Sequence, residues 1–348
     1  MLWAIIGLPS SGRSTLFKLL TNKGSSGRSG KGLDLAVVKV PDPRLQELCE
    51  VFHPDKITPA EIEFADTVGQ IGKGGAAFSE LQRADCLAYC IRAFDGGYGN
   101  PRPIEDLATL KNEFALFDLG IIERKVENIE KELRTCPNSE KRQIEKRLEW
   151  MKEKKDHIEA GGSIRDMGLD DEQMELLSNF ALLTAKPAVV VLNCDEEHFC
   201  MREKLVAEAE KIIPEAKILP LMVQMEIELE ELGEGEACIF REEYGLCETA
   251  VDAFVHSAYE AMEVKTFFTG GDNEVRAWTV SRKAKAVDCA GKIHTDMARG
   301  FIRAEVIGYY ELLEIGNWNK AKSLGKIRQE GKDYYVLDGD VIIMKFAV

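Results

Sequence analysis

No run of this 348-residue chain approaches the roughly 18 apolar residues that a bilayer span requires. The apolar stretch from Leu2 to Ile6 is too short for a signal-peptide core and has no basic flank before it, so a cytoplasmic, membrane-free protein is expected. There is no CxxC pair among the nine cysteines. Cys86 and Cys90 share one face of a strand-like run and are expected to pack, and with five scattered histidines the pattern does not read as a zinc site. Reduced thiols are the simpler reading of an odd count. Positive charge is also scarce: 45 Lys+Arg stand against 60 Asp+Glu, a net −15, which argues against a chain that clings to nucleic acid as a whole. The deficit is uneven. From residue 264 onward there are 14 Lys+Arg against 11 Asp+Glu, a local +3 that leaves −18 for the rest. That stretch is open to RNA phosphates or is an ordinary solvated surface.

What is present reads as a soluble protein of two or three domains. Strand candidates at 2–7, 36–40, 62–67, 86–94, 188–193 and 217–222 alternate with helical stretches, and near-continuous apolar runs such as AVVVLN suit a parallel sheet covered on both faces. The expectation is an α/β, doubly wound sheet. Residues 22–32, rich in Gly and Ser, are expected to be mobile. Leu119, Ile122, Val126, Ile129 and Leu133, then Ile144, Leu148, Met151 and Ile158, repeat at helical spacing around a break at 136–139, which predicts an antiparallel helical hairpin like a short coiled coil. After Val264 the pattern turns to short strands at 275–280, 301–307, 333–337 and 340–348, with a turn at Asp338-Gly339-Asp340.

Three motifs carry chemistry. GLPSSGRST (7–15) lies between a strand and an apolar helix, the setting of a phosphate-binding loop. Its glycines let successive amides face phosphate oxygens, so Pro9, Ser10, Ser11, Gly12, Arg13, Ser14 and Thr15 are candidate nucleotide contacts. Arg13 stands where lysine is usual and keeps the charge but not the compact shape. Asp66-Thr67-Val68-Gly69 matches D-x-x-G, with Asp66 and Ser14 as Mg²⁺ ligands and the Gly69 amide on the terminal phosphate. Gln70 is placed to orient an attacking water. Asn193-Cys194-Asp195-Glu196 ends a strand where guanine-specific proteins carry N-K-x-D. Asn193 can offer its amide to a base edge, while Glu196 is one methylene longer than the usual aspartate.

In this order the motifs resemble the Obg-like ATPases, the YchF family. VPDPRL (40–45), TFFT (266–269), EVRAWT (274–279), HTD (294–296), GFIRAEV (300–306) and EGKDY (330–334) are similar to its signatures. The resemblance implies a P-loop NTPase domain over 1–104 and 179–263, an inserted helical hairpin over 105–178, and a TGS-like β-grasp domain over 264–348. It implies ATP or GTP with Mg²⁺ as the ligand, N-x-x-E in place of N-K-x-D at Asn193 and Glu196, and a later base-contacting loop in which Met222 and Val223 stand where the family has small residues. It also implies ribosome or RNA partners reached through the hairpin and the C-terminal domain. The departures cluster at the phosphates: Arg13 for lysine, Ser10 for asparagine, and no counterpart in 22–40 of the switch threonine. Two outcomes follow, a slow ATPase or GTPase in which Arg13 and Gln70 act on the terminal phosphate, or a pseudo-NTPase scaffold that binds partners without turnover.

Overall fold

The computed structural model describes residues 1–21, 28–30, 33–67, 78, 81–97 and 99–347. The chain divides into two compact units, one of Met1–Val38 with Glu63–Ala261 and one of Lys39–Ile62 with Met262–Val348.

The first unit is built on β1 (Leu2–Ile6), β2 (Arg28–Gly30), β3 (Leu33–Lys39), β5 (Glu61–Thr67), β6 (Cys86–Ala93), β7 (Ala188–Cys194) and β8 (Lys217–Leu221), in the spatial order β2-β3-β5-β1-β6-β7-β8. β1 pairs parallel with both β5 and β6, and β6, β7 and β8 continue parallel. Every residue of Ala188–Cys194 is buried, the result expected for a central strand sandwiched between helices. The core joins β1, β6 and β7 to Leu107, Leu110 and Phe114 of α3 (Pro103–Thr135) and to Leu205 and Ala209 of α7 (Arg202–Ile212). Edge-on aromatic contacts of Phe254, on α10 (Ala250–Ala261), with Trp3 and Phe64 close the opposite side. The sheet is the doubly wound α/β fold read from the sequence. Within 22–32, residues 22–27 and 31–32 lie outside the described residues. Arg28–Gly30 pairs antiparallel with β3.

α3 runs 33 residues and returns through α4 (Asn138–Glu159). The predicted seam is present: Ile122, Val126, Ile129, Ile144, Met151 and Ile158 are buried in one cluster, with Leu119, Leu133 and Leu148 packed against it. Ion pairs Glu132–Arg147, Glu130–Lys152 (2.7 Å) and Glu123–Lys155 (3.2 Å) step down one arm as they step up the other, so the arms are antiparallel. At its base Asp118 is fully buried and accepts hydrogen bonds from Leu183 N–H (2.9 Å), Thr184 N–H (2.7 Å) and Thr184 Oγ1 (2.7 Å).

The second unit is a six-stranded mixed sheet, β12 (Arg328–Glu330), β11 (Phe301–Gly308), β13 (Asp340–Phe346), β9 (Val264–Thr269), β10 (Glu274–Ser281) and β4 (Lys56–Thr58) in spatial order. β9 and β10 form an antiparallel hairpin, and β13 lies parallel to β9 at the centre, the β-grasp arrangement. Its outer strand β4 and the helix α2 (Pro43–Phe52) come from the excursion at 39–62. VPDPRL therefore serves this unit. Asp42 caps α2 by accepting from Arg44 N–H, and the Arg44 guanidinium reaches Asp42 (2.9 Å) and Asp338 (2.7 Å) while lying over the Phe268 ring.

Residues 333–337, expected as a strand, are not one: a single bridge joins Tyr335 to Lys285. The Asp340 carboxylate draws the segment into a turn instead. It accepts from Tyr334 Oη and from Leu337 N–H, both at 2.8 Å, and Val336 N–H goes to Ala284 rather than to a neighbouring strand.

Candidate functional site

The turn after β1 holds the loop read as phosphate-binding. Ser10 and Gly12 have positive φ, 64° and 84°, and left-handed residues of this kind let successive amides converge on one side of a loop. α1 (Arg13–Thr21) begins within the motif, and its first i→i−4 bond runs from Leu16 N–H to the Gly12 carbonyl at 2.8 Å. The amides of Arg13, Ser14 and Thr15 precede that bond, so they face the loop's concave side as helix N-termini do toward anions.

The loop is fastened from below. The Ser11 carbonyl accepts from Asn193 Nδ2 at 3.1 Å and from Cys90 Sγ at 3.3 Å, and all three residues are buried. Burial pushes the Cys90 thiol up to about 12, so it acts as a packed donor rather than a thiolate. The fit dictates both glycines. A Cβ on Gly7 would lie 2.4 Å from Ser11 Oγ and 2.5 Å from the Cys90 carbonyl, and one on Gly12 would lie 2.2 Å from Asn193 Nδ2. Asn193 at the end of β7 thus uses its amide nitrogen on the loop, where the sequence offered it to a base edge.

Arg13 turns back toward the sheet. Its Nε lies 2.6 Å from Asp66 Oδ1, and Ser14 Oγ donates to Asp66 Oδ2 at 3.1 Å. The two side chains of the ion pair are 20% and 11% exposed. The structure brings together the three residues that the sequence assigned to terminal phosphate and metal, but they face one another: Ser14 is hydrogen-bonded to Asp66, and Arg13 is ion-paired with it. Magnesium keeps near-octahedral geometry and several of its own waters. Both Asp66 oxygens are engaged and the guanidinium lies against one of them, so with Arg13 in this position the residues present do not fit a hydrated divalent ion. Gly69 and Gln70 lie outside the described residues.

On the far side of Asn193, Asp195 caps the helix α6 (Glu196–Cys200). Its Oδ1 accepts from His198 N–H at 2.9 Å and its Oδ2 from Asp95 N–H at 3.0 Å. Desolvation works against the charged form, but these amides and the His198 ring hold the Asp195 carboxyl below its usual range. Glu196 is exposed at the first position of α6. Burial, and then a hydrogen bond to Glu196, raise the Tyr244 hydroxyl above the usual range for a phenol. Met222 and Val223, at the end of β8 and the start of α8 (Val223–Leu229), are buried at 3% and 0% exposure, so their side chains are packed inside the protein rather than offered at its surface.

Asp195, Cys90 and Phe94 are residues of this site that motif spacing did not single out. Phe94 follows β6 and its ring edge lies 3.6 Å from the position of a Gly12 Cβ. Its signal in the sequence is its place at the carboxyl end of a strand, where ligands of open α/β sheets bind.

The YchF-GTPase_C family model, described as "Protein of unknown function (DUF933)", matches residues 264–347. The chain is 34% identical to the ribosome-binding ATPase YchF of Haemophilus influenzae, covering 99% of this chain and 98% of that protein. It belongs to the YchF family. The match to the ribosome-binding ATPase YchF of Bacillus subtilis is 33% with the same coverage, and that to Obg-like ATPase 1 of Oryza sativa is 31% over 99% of this chain and 91% of that one. The YchF GTPase structure of Schizosaccharomyces pombe superposes with a TM-score of 0.86 at 26% identity, covering 99% of this chain and 97% of that one. Full-length agreement with YchF proteins covers both the P-loop sheet and the C-terminal β-grasp unit. Among the described residues, no helix is long and apolar enough to cross a membrane.

Proposed function

We propose that this YchF-family chain binds a purine nucleoside triphosphate, ATP or GTP, at the loop 7–15, hydrolyses it slowly, and acts at the cytoplasmic ribosome. One observation carries the reading: the loop keeps the backbone of an anion cradle, with left-handed Ser10 and Gly12, and is held from beneath by Asn193 and Cys90. The ribosomal setting follows from relatives named as ribosome-binding ATPases.

In this reading the amides of Gly12 to Thr15 take the phosphates. Arg13 offsets charge that develops on the terminal phosphoryl oxygens, and Gln70 orients the attacking water. Glu196 and the main chain at Met222 and Val223 bound the base. A guanidinium tied to Asp66 has to leave that partner in order to follow the moving charge, and losing one such contact in the transition state costs about 2–4 kcal/mol. Turnover is therefore slow. The hairpin at 105–178 and the TGS-like domain at 264–348, where the local charge is +3, are the surfaces offered to ribosomal partners.

The Arg13–Asp66 pair also favours a second reading, a scaffold that reaches the ribosome without turning nucleotide over. Calorimetric titration with ATP and GTP, run beside ribosome co-sedimentation, separates the two. Saturable binding with slow phosphate release supports the first. Co-sedimentation without any nucleotide binding supports the second. Loss of both overturns the assignment.

A further inference from the structure

We infer that Arg13 takes the place of the divalent cation in this pocket, so that the chain binds its nucleotide without Mg²⁺. This rests on the nucleotide-binding reading above and concerns how the same loop neutralises phosphate charge.

The donors that a P-loop protein offers to magnesium, Ser14 and Asp66, are present but committed. Asp66 is 8% exposed. Its Oδ2 accepts from Ser14 Oγ at 3.1 Å, and its Oδ1 is ion-paired with Arg13, whose Nε lies 2.6 Å away. The nitrogen that makes this contact matters. Nε sits at the root of the guanidinium, and although this contact lacks hydrogen-bond alignment it sets the head's positive charge directly against the carboxylate. A lysine in the same position is a point charge on a flexible stem, able to swing onto the phosphates and leave the aspartate to a metal. A guanidinium whose root lies against the aspartate must give up that ion pair to do the same. It keeps its positive charge next to the aspartate, where a metal would otherwise contribute its charge.

A hydrated dication entering here meets three obstacles. Its water shell must displace Nε from Oδ1 or the serine hydroxyl from Oδ2. It must approach a fixed positive charge in a poorly exposed pocket, where repulsion is weakly screened. It also gains less from an aspartate whose charge is already balanced. The guanidinium brings its own advantage to a phosphate chain. It is planar, always charged and weakly hydrated, and it recognises phosphate oxygens through paired N–H donors. Arg13 therefore joins two roles that most P loops divide between a lysine and a metal ion.

The test is equilibrium binding of ATP and of GTP to the full chain, each measured in millimolar Mg²⁺ and in EDTA at matched ionic strength, with Arg13→Lys beside the wild type. The wild type is expected to bind at least one nucleotide in EDTA, with an affinity that rises by less than about threefold, or falls, when Mg²⁺ is supplied. Arg13→Lys is expected to gain about tenfold or more from Mg²⁺, because the freed aspartate can then receive the ion. A larger Mg²⁺-dependent rise in the wild type overturns the inference and leaves the nucleotide-binding reading standing. Absence of binding in either buffer overturns both. The wild-type comparison stands by itself should Arg13→Lys fail to fold.

Discussion

Asn193 Nδ2 donates to the carbonyl of Ser11 at 3.1 Å, joining the end of β7 to the loop after β1 across 182 positions of sequence. The contact makes the two ends of the pocket one mechanical piece. The side chain that the sequence offers to a base edge is here the strut beneath the candidate phosphate turn. Gly12 is confined by the same strut, since any Cβ there would lie 2.2 Å from that nitrogen.

Replacing Asn193 with Ala removes a buried hydrogen bond while Cys90 still donates to Ser11. The expected cost is about 1–2 kcal/mol in urea unfolding, with nucleotide affinity reduced by about tenfold. Gly12→Ala adds backbone strain at a φ of 84° to the collision with Asn193, so it is expected to weaken binding at least as much. Wild-type affinity in both variants would contradict the coupling of strut and loop.

Arg13 and Asp66 form one energetic unit. A double-mutant cycle with Arg13→Ala and Asp66→Asn, read by urea unfolding without nucleotide, is expected to return a coupling of about 1–3 kcal/mol for this poorly exposed pair. Additivity within about 0.5 kcal/mol would mean that the pair contributes nothing beyond its separate members.

Much of this was legible in the chain itself, and the exceptions have physical reasons. Ala188–Cys194 is buried at every position and reads as a central strand because nothing polar interrupts it until Asn193. The hairpin seam is visible because both arms are long enough for a helical period to emerge. β4, three mostly exposed residues at the sheet edge, carries no period at all. The segment at 333–337 has the composition of a strand, but Asp340 captures its backbone and its tyrosine, a contact that local pattern does not contain. The loop at 7–15 was recognisable from spacing alone. That Arg13 points at Asp66 and Asn193 at Ser11 depends on side chains brought together from distant parts of the sequence.

The buried carboxyl of Asp118 gives the fold a definite pH response. Burial, opposed by hydrogen bonds from Thr184 and Leu183, pushes it up to about 6 from an unfolded value of 3.8. Between those values the folded chain binds more protons than the unfolded one, so this group's contribution to stability falls as pH rises from about 4 to about 6. Measured against Asp118→Asn, which keeps the side-chain shape but does not titrate, the wild type should lose on the order of 2–3 kcal/mol across that interval. A difference that stays constant with pH would contradict it.

The hairpin's stability lies in its seam rather than in its charges. Ile122 is 1% exposed, so Ile122→Ala is expected to cost about 2–5 kcal/mol. Arg147, paired with Glu132 at a site nearly half exposed, should cost less than about 1 kcal/mol as Arg147→Ala. Thermal unfolding of both variants checks the ranking, and a larger loss for Arg147→Ala would reverse it.

The central claim is that the turn after β1 still receives the phosphates of a purine nucleotide. Amide NMR of the labelled full chain during titration with ATP and with GTP addresses it most directly. Saturable movement of the Gly12, Arg13, Ser14 and Thr15 amide resonances by at least one nucleotide is the predicted result. If those four resonances stay in place through millimolar concentrations of both nucleotides, the account is contradicted.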